Sequence, residues 1–458
     1  MKTARNRTNA QARKAGPGGS VLIVVMWIAF GLVGIALYFA HSMEMELRAA
    51  ENQVDSLQAD QAIEAGALYA SNVLANMINT NMLPNTNNYL NAGVKVGNAM
   101  FWYIGRDTNY SQMSLSSPDP SFGLVDEASK ANLNATLYNN ATNLLIDLPQ
   151  MTAYNAAAMY DWRNTNTTPS VDGAKNETYS MLNPPYVCKN ANFETVGELS
   201  MVYGFSMDLL FGEDINMNGA MDPNENDGMA LPPNDNQNGV LDPGVFEYVT
   251  VWTHEPTNYP GTTNSRVLVS NTNALKSFLS TNLSSQEATT YMNALGRTAP
   301  NSVLDFYNRS QMPESEFMTI EPMLMGPNTV GLINVNTATV WSLACIPGIS
   351  NLYAPAVMSY RQGNGGTMSS IAWLKDALSS YGSNCITAAG PWVTARSYQF
   401  TADIAAVGAH GRGYRRVRFV FDCSGGSPQI VYRQDVTYLG WALGRRIHDQ
   451  LLAGNTKR

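Results

Sequence analysis

The sequence of 458 residues is poor in charged residues and in the side chains that build most catalytic and metal centres. Only 14% of the residues are Asp, Glu, Lys or Arg, and the chain holds four histidines and four cysteines. Acidic residues (36) outnumber basic ones (28), which gives a net charge of −8, and five of the basic residues lie in the first 19 positions. The remainder is therefore more acidic than the whole, which disfavours a surface that binds nucleic acid through its phosphates.

Catalytic motifs are missing as well. The sequence contains no nucleophile elbow, zinc-protease helix, P-loop or dinucleotide-binding glycine pattern. The four histidines, His41, His254, His410 and His448, are widely separated. Asp and Glu residues are scattered, and nothing in their spacing fixes a pair for acid–base chemistry. We therefore expect the chain not to be an enzyme.

The four cysteines, Cys188, Cys345, Cys385 and Cys423, have no C-x-x-C spacing. Without paired thiol or imidazole spacing, a zinc site is disfavoured. In an oxidising compartment, four cysteines allow two disulfides, with three alternative pairings that the sequence does not separate. The sequence therefore leaves two disulfides open if the chain is exported.

What the sequence does have is a long uncharged run at residues 20–40, preceded by five cations and no acidic residue. At about 1.5 Å per residue this run spans roughly 30 Å, the thickness of the hydrocarbon core of a bilayer. It is longer than the apolar core of an ordinary signal peptide. The cations before it, and Glu44, Glu46 and Glu51 after it, predict a cytoplasmic N-terminus. We therefore expect a single-pass anchor with the C-terminal part exported.

Behind this run, residues 41–80 contain no proline and repeat apolar side chains at helical spacing. The pattern predicts one long helix, apolar in its first third and amphipathic afterwards, which stops at the asparagines that follow Pro84. Strand-like segments occur at residues 99–104, 398–407, 415–422 and 429–438. The last three are spaced like a small antiparallel meander.

The sharpest chemical motif is DINMNGAMDPNE at residues 214–225. Its residues match the ligand positions of an EF-hand-type loop, which offers calcium six to eight oxygen atoms around a tight turn. Gly219 stands where that turn is sharpest, and two asparagines in place of aspartates predict modest affinity. A plain turn rich in Asn, Asp and Gly is the alternative. The candidate ligands are Asp214, Asn216, Asn218, the backbone carbonyl of Ala220, Asp222 and Glu225.

A weaker copy of this motif follows at residues 234–244, NDNQNGVLDPG. Val245 occupies its position 12, where the first loop has a glutamate. Glu247, Asp235 or a neighbouring segment would have to supply the missing oxygen ligand. The candidate calcium ligands in this copy are Asn234, Asn236, Asn238 and Asp242.

A basic leader that ends in glycine, an apolar run and an amphipathic helix resemble the layout of type IV pilins and type II secretion pseudopilins. Further segments, in family order, resemble one minor pseudopilin class, general secretion pathway protein K. Most pseudopilins carry a glutamate five residues after the processing site, and this class typically lacks it; here the position is Val24. The matching segments are QAIEAGALYA (61–70), DEASKANLNA (126–135), DW (161–162), NPPY (183–186), FETVGELSMVYG (193–204) and GLINVNTATVWSLACIPGI (331–349).

The resemblance implies an α+β, type IV pilin-like fold, with a long N-terminal helix, a small antiparallel sheet and a large, mainly helical insertion that contains helix-hairpin-helix-like units. It also implies cleavage after Gly19 and methylation of the new N-terminus at Ser20. The boundaries we expect are a leader at 1–19, a transmembrane helix at 20–40, the amphipathic helix and first strands at 41–122, the insertion at 123–395 and the final strands at 396–458.

Two of the matching segments share an Asn-x-Asn pair about 200 residues apart and are expected to begin the helix-hairpin-helix-like units. The second unit should continue as helix from Ile333, turn at Pro347-Gly348-Ile349 and form a helix around Tyr353 to Arg361. Ser350 stands where DNA-binding hairpins have their second glycine. Together with the acidic balance, this serine favours a protein-packing role.

The function implied is that of a minor pseudopilin that caps or initiates the periplasmic pseudopilus of a type II secretion system. The subunit would be held in the inner membrane by one helix, with its C-terminal part in the periplasm. Other minor pseudopilins, the inner membrane, secretion substrates and the outer-membrane secretin are the implied partners, and calcium is expected as a structural ion. The alternative is a membrane-anchored DNA-uptake or pilus-associated protein that binds DNA through the hairpin.

Overall fold

The structure, a computed structural model, describes residues 18–77, 93–106, 119–138, 144–259, 261–364, 369–409 and 411–455. Residues 1–17 of the expected leader and the expected helix stop after Pro84 lie outside these ranges.

The chain begins, in the described part, with a single helix of 60 residues, α1 (Gly18–Met77). It is uninterrupted because no proline or charge breaks the apolar run before the amphipathic part begins. Its N-terminal stretch is long and apolar enough to cross a membrane, and the large side chains from Val21 to Phe39 are exposed. Apolar side chains without partners in their own chain fit a single-pass anchor whose surroundings are lipid.

The strands form an antiparallel sheet in the order β1-β2-β10-β11-β12, with β3 also paired to β10. The expected meander is therefore confirmed, since β10 pairs with β11 and β11 with β12. Three further pairs, β4–β5, β6–β7 and β8–β9, are short and parallel. The strands are β1 (Val94–Val96), β2 (Ala99–Tyr103), β3 (Val125–Asp126), β4 (Ala131–Asn132), β5 (Val249–Thr250), β6 (Val267–Leu268), β7 (Leu324–Met325), β8 (Ile333–Asn334), β9 (Val393–Thr394), β10 (Gln399–Val407), β11 (Arg415–Asp422) and β12 (Gln429–Asp435).

The second half of α1 packs on one face of this sheet. Its buried positions are mostly small, which lets the helix approach the strands closely. At Gly66 the contact is close: the Tyr103 hydroxyl donates to its carbonyl at 2.6 Å, and a Cβ there would lie 3.1 Å from Ile404 and Phe101. The helix positions in this core are Ala59, Ala62, Ile63, Ala67, Ala70 and Leu74. A long helix seated on an antiparallel sheet confirms the expected pilin-like α+β fold.

A C-terminal helix, α13 (Gly444–Asn455), covers part of the other face of the sheet. Leu443 and Ile447 pack there against Trp102, Ile104 and Val407. The sequence predicted only strands after residue 396, so this helix is an addition to the predicted fold. Its apolar positions are too few for its periodicity to stand out beside the three strands.

Residues 127–398, between β3 and β10, form a mainly helical insertion with its own core, which confirms the expected insertion. β3 itself pairs with β10, so residues expected to open the insertion belong to the sheet. The remaining α-helices are α2 (Ala153–Arg163), α3 (Asn176–Ser180), α4 (Met207–Phe211), α5 (Thr272–Asn282), α6 (Ser285–Leu295), α7 (Val303–Ser310), α8 (Glu314–Ile320), α9 (Val340–Ala344), α10 (Ser350–Gly363), α11 (Trp373–Leu378) and α12 (Ser383–Ala389).

The two Asn-x-Asn segments occupy equivalent places in the insertion. Asn132 ends β4 and its side chain accepts from the N–H of Asn134 at 2.8 Å; Asn334 ends β8 and accepts from the N–H of Asn336 at 2.9 Å. A buried arginine from a later helix then donates to the turn carbonyls. Arg163 serves the first unit, through Leu133, and Arg361 serves the second, through Val335.

The second unit differs from the prediction at its start. Residues 333–338 form a strand pair and a turn, and α9 begins only at Val340, because Asn334 and Thr339 bind backbone N–H groups that a helix would use otherwise. The Gly348 turn faces inward, since a Cβ there would lie 2.5 Å from the carbonyl oxygen of Cys385. Ile349 is fully buried. Because this turn is packed against the rest of the insertion, its backbone N–H groups are not accessible to a phosphate. Nothing in the described residues favours the DNA-binding alternative.

All four cysteines are unpaired, so neither of the two disulfides left open by the sequence is present. Cys188 and Cys345 lie in the core of the insertion, whereas Cys423 lies in the core between α1 and the sheet. Cys385 is half-buried on α12.

Candidate calcium-binding loops

The first predicted loop folds as a tight turn around its own side chains. Asp214 accepts hydrogen bonds from the backbone N–H groups of Asn218 (2.9 Å) and Gly219 (2.8 Å). Met217 and Gly219 both have positive φ, at 52° and 68°. The glycine adopts this conformation without steric cost, as the motif requires of its sixth position. The loop therefore has the backbone course that its sequence predicts.

Polar side chains converge inside this loop. The side-chain amides of Asn216 and Asn218 donate to the same oxygen of Asp222, at 2.6 and 3.2 Å. Their own oxygens accept from the N–H groups of Asn218 and Ala220, at 3.0 and 2.7 Å. Rotating either amide would turn its oxygen toward the carboxylate, an arrangement that only a cation between them would favour.

Glu225 closes the loop from its last position. One carboxylate oxygen accepts from the N–H of Asp222 at 2.9 Å, while the other, Oε1, has no hydrogen-bond partner among the described residues. The residue is only 1% exposed. Burial raises the pKa of Glu225 to about 9, with Asp214 and Asp222 adding to the shift. An orphaned buried oxygen costs about 1–3 kcal/mol, which a cation bound in the loop would offset.

Within the described residues, no group of three or more His, Cys, Asp or Glu side chains is placed to hold a metal ion. A site in this loop therefore depends on the amide oxygens of Asn216 and Asn218 and on the carbonyl of Ala220 as well as on carboxylates. All of these donors are hard oxygens, the kind that calcium prefers. The donor set and the orphaned Glu225 oxygen fit calcium.

The second loop repeats most of these hydrogen bonds. The Asn236 amide donates to Asp242 at 3.0 Å, as Asn216 does to Asp222. The oxygens of Asn236 and Asn238 accept from N–H groups two residues on, at 2.9 and 2.7 Å. Gly239 has a φ of 75°, close to that of Gly219. The two loops are therefore copies in structure as well as in sequence.

Glu213 takes the place of the glutamate that the second loop lacks. Its carboxylate accepts from the N–H of Asp242 at 2.9 Å, the bond that Glu225 makes to Asp222 in the first loop. The two residues that sequence reasoning considered are used elsewhere: Asp235 caps the N–H groups of residues 227 and 228, and Glu247 pairs with an arginine. In the sequence, only the position of Glu213 directly before Asp214 could have suggested that it takes part in the second loop.

The loops differ in burial. Asp214, Asn216 and Asn218 are at most 8% exposed, whereas Asn234, Asn236 and Asn238 are exposed. Asn234, expected as the first ligand, makes none of the bonds that Asp214 makes. Asn226 instead accepts from the N–H of Gly239, at 3.3 Å. The first loop is thus the better-formed site.

The outer side of the first loop faces the sheet. Arg416 of β11 donates to the carbonyls of Asn216 and, at 2.8 Å, Met217. Arg106, just beyond β2, donates to the Met217 carbonyl at 2.7 Å. The Asn216 amide also donates to the carbonyl of Trp441, at 3.1 Å. The loop therefore joins the insertion to three segments of the pilin-like part.

One cluster has the residue types of a catalytic triad without its geometry. His254 directs the same nitrogen, Nε2, at Ser424 (3.2 Å) and Asp422 (3.4 Å), while Nδ1 faces the carbonyl of Trp252. A triad needs the carboxylate and the hydroxyl on opposite nitrogens. The Ser424 hydroxyl also donates to Asp422, so the cluster tethers two segments and does not activate a nucleophile.

The expected processing site lies where the described chain begins. α1 starts at Gly18, so the bond between Gly19 and Ser20 falls at the first turn of the helix. Cleavage there remains a prediction.

Residues 123–210 match the family model described as type II secretion system (T2SS), protein K. No curated protein matches the chain in a sequence search. The chain is also similar to one in the crystal structure of the GspK-GspI-GspJ complex from the type 2 secretion system of enterotoxigenic Escherichia coli, with 9% identity and a TM-score of 0.44, over 85% of this chain and 99% of that one. By this match, residues 123–210 are similar to the type II secretion system protein K family.

Proposed function

We propose that this protein is a minor pseudopilin at the tip of a type II secretion pseudopilus. The observation that carries the proposal is the family match over residues 123–210, which lie in the insertion and at its junction with a pilin-like sheet. The long apolar start of α1 suits a subunit that waits in a membrane before assembly. The inner membrane and the periplasm are the proposed locations of its two parts.

The exposed side of α1 supports an assembly role. Leu47, Val54, Leu57 and Leu68 are all more than half exposed, on the side of the helix away from the sheet. Their spacing keeps them within one stripe of a helix that turns about 100° per residue. An apolar stripe continuous with the membrane segment suits packing against the helices of other minor pseudopilins.

Val24 supports the terminal position. In pilins that carry a glutamate at this point, its carboxylate neutralises the N-terminal amine of a neighbouring subunit on one side, and a tip subunit has no neighbour there. An apolar residue instead avoids an unpaired carboxylate in the membrane, which is costly. The secretin and secreted substrates are proposed as further partners of the tip.

Site-specific cross-linking tests the assembly role. We expect a photoactivatable cross-linker on Leu57→Cys, in a chain that also carries Cys385→Ser, to link the subunit to other pseudopilins in membranes. The same reagent on Asn52→Cys, which is exposed about 140° around the helix, should give little product. Equal products from both positions, or none from Leu57→Cys, would contradict helix packing through the stripe.

We also propose that calcium binds as a structural ion. In the first loop the ligands would be Asp214, Asn216, Asn218, Ala220, Asp222 and Glu225. In the second, weaker loop they would be Asn236, Asn238 and Asp242, with Glu213 and Asn226 better placed than Asn234. The ion would supply the positive charge that this group of oxygens lacks.

Calcium should stabilise the full-length chain in detergent by about 1–3 kcal/mol when its concentration is 10–100 times the dissociation constant. Asp214→Ala should remove most of this response, because it deletes a central buried ligand. Thermal unfolding with calcium, with magnesium and with a chelator measures the effect. Asp227→Ala, outside the proposed ligand sets, is the matched control. An unchanged melting temperature on calcium addition to the unmodified chain would contradict calcium binding and indicate that both loops are plain turns.

A further inference from the structure

We infer that calcium in the first loop locks the insertion onto the sheet, so that the loop at residues 214–225 acts as a cation-dependent joint between the two parts. This inference rests on the proposed calcium binding and adds a mechanical role to it. It is carried by the contacts on the outer side of the loop, which the ligand motif does not require.

The joint is built on carbonyl groups that point away from the proposed ion. Arg416 is fully buried, and its guanidinium group donates to the carbonyls of Asn216 and Met217. Arg106 donates to the same Met217 carbonyl at 2.7 Å. Three charge-assisted hydrogen bonds therefore converge on two consecutive peptide groups, and such bonds are stronger than neutral ones.

Each arginine is also held by a carboxylate, independently of its hydrogen bonds to the loop. Arg416 pairs with Asp403 of β10, with nitrogen–oxygen distances of 2.8 and 2.9 Å. Arg106 lies 2.8 Å from Glu247 of the insertion, although its Nε–H is not aimed at that oxygen. The guanidinium groups are therefore fixed in place, and the joint depends on whether the loop keeps its carbonyls turned toward them.

Asn216 connects the inside of the loop with its outside. Its side chain is a proposed ligand and already binds Asp222 inside the loop and the Trp441 carbonyl on the pilin-like part. Its own carbonyl is the one that Arg416 reaches. A cation that fixed this side chain would also restrict the peptide group next to it.

Met217 adds a reason for the loop to need support. Its φ of 52° is unusual for a residue with a side chain and costs of order 1 kcal/mol. This conformation turns its carbonyl toward both arginines. Without a cation, the turn is held in this state by internal hydrogen bonds alone and leaves a buried Glu225 oxygen without a partner, so a cation that binds this oxygen should favour the locked form.

Other contacts join the insertion to the sheet, so removal of calcium should loosen the joint without separating the two parts. Thr401 of β10 donates to Glu127 at 2.6 Å, and β3 pairs with β10. We therefore expect the effect to be local to β11 and to the segment around Trp441.

Hydrogen exchange on the full-length chain in detergent, followed by mass spectrometry, tests the joint. Calcium should slow exchange about tenfold in peptides that cover residues 415–422 and 439–443, as well as in the loop itself. Exchange in α5 and α6, distant in the insertion, should not change. Protection from exchange that is confined to residues 214–225 would contradict the inference that the loop acts as a joint.

Arg106→Lys gives the sharper test, because it keeps the positive charge near the loop but loses the planar fork. Calcium should then protect residues 415–422 less, because one of the three hydrogen bonds that hold the peptide groups of Asn216 and Met217 is weakened. By linkage, the dissociation constant of calcium, measured by calorimetry, should rise. Arg415→Lys, on β11 but paired with Asp60 of α1 and not with the loop, is the matched control and should behave as the unmodified chain. Normal coupling in Arg106→Lys would contradict the inference.

Calorimetry on the unmodified chain distinguishes the two failures. No heat of calcium binding, and no protection anywhere, would mean that the proposed calcium site is wrong and that the joint cannot depend on it. Binding abolished by Glu225→Gln, together with unprotected β11 peptides in the unmodified chain, would leave the calcium site in place and reject the joint alone.

Discussion

Asp403 and Arg416 form an ion pair in the sheet with almost no access to solvent. Burial alone would raise the pKa of Asp403, but Arg416 and Arg418 outweigh it and hold the pKa well below its usual range. A carboxylate with a lowered pKa contributes stability above its unfolded pKa of about 4, and this contribution is lost as the pH falls through the folded value.

Asp403→Asn should therefore destabilise the protein by about 3–5 kcal/mol at neutral pH, because it leaves the buried Arg416 without its counter-charge. The difference from the unmodified chain should shrink below about pH 4. Chemical unfolding from pH 3 to 8 measures both effects. Asp449→Asn, at an exposed position on α13, is the control. A constant difference across that range would show that the carboxylate charge is not responsible.

Individual site residues were predictable from the sequence where the ligands of one site lie close together along the chain. The first loop is an example, since the alternation of Asp214, Asn216 and Asn218 around Gly219 fixes both the turn and the side chains inside it. Glu213 and Asn226 were missed because they reach the second loop across space. The arginines that bind the outside of the loop were missed for the same reason.

Among the elements, α1 shows how a small residue sets a packing distance. Gly66 lies on the face of the helix that packs against β2 and β10. A larger side chain there has no free space, because Phe101 and Ile404 are themselves buried in the same core. The helix would have to move away from the sheet, or these side chains would have to leave their preferred rotamers.

Gly66→Leu should consequently cost about 1–3 kcal/mol or more, despite the better helix propensity of leucine. Asn72→Leu, on the exposed side of the same helix, should be nearly neutral. Thermal unfolding of the two variants in detergent makes the comparison. Equal stability of the two would show that the helix adjusts to a side chain at residue 66 without strain.

Element boundaries were predictable where periodicity is long and uninterrupted. The three C-terminal strands and the long helix were found in this way, and the strands differ from the prediction by a few residues at their ends. The start of the second helical unit was wrong because a two-residue strand and an Asn-centred turn precede α9. Such short pairs carry too few residues, and α13 too few apolar positions, for a periodic signal.

At the level of the whole molecule, the predicted architecture is confirmed: a long helix, a small antiparallel sheet and a mainly helical insertion. The long helix and the antiparallel strands followed from the pattern of the sequence, whereas the helical insertion was implied by the resemblance to the protein K class. How the insertion is fixed to the sheet was not predictable, since Arg106 and Arg416 meet the loop from positions more than 100 residues away.

Maturation concerns the chain as a whole. If the leader is removed as the family resemblance implies, the intact mass of the protein from its native membrane should correspond to a chain that begins at Ser20, with the increment of one methyl group. Gly19→Leu should leave the leader attached, because the peptidase would no longer find its glycine. A mass that corresponds to a chain beginning at Met1 would contradict the proposed maturation.

The packing of α1 against the sheet determines how a pulling force on the helix would be distributed through the protein. Three ion pairs link the helix to the sheet and to the turn between β10 and β11: Glu51 with Arg412, Asp60 with Arg415, and Glu64 with Arg433. They are exposed, and each contributes little to stability on its own. A pull along the helix axis would nevertheless act on all of them, and on the buried alanine face, in shear and at the same time. An interface loaded in shear shares the force among its contacts, whereas one that is peeled breaks them one after another. If the subunit is pulled out of a membrane by its helix, the rest of the chain would therefore follow without the sheet separating from the helix.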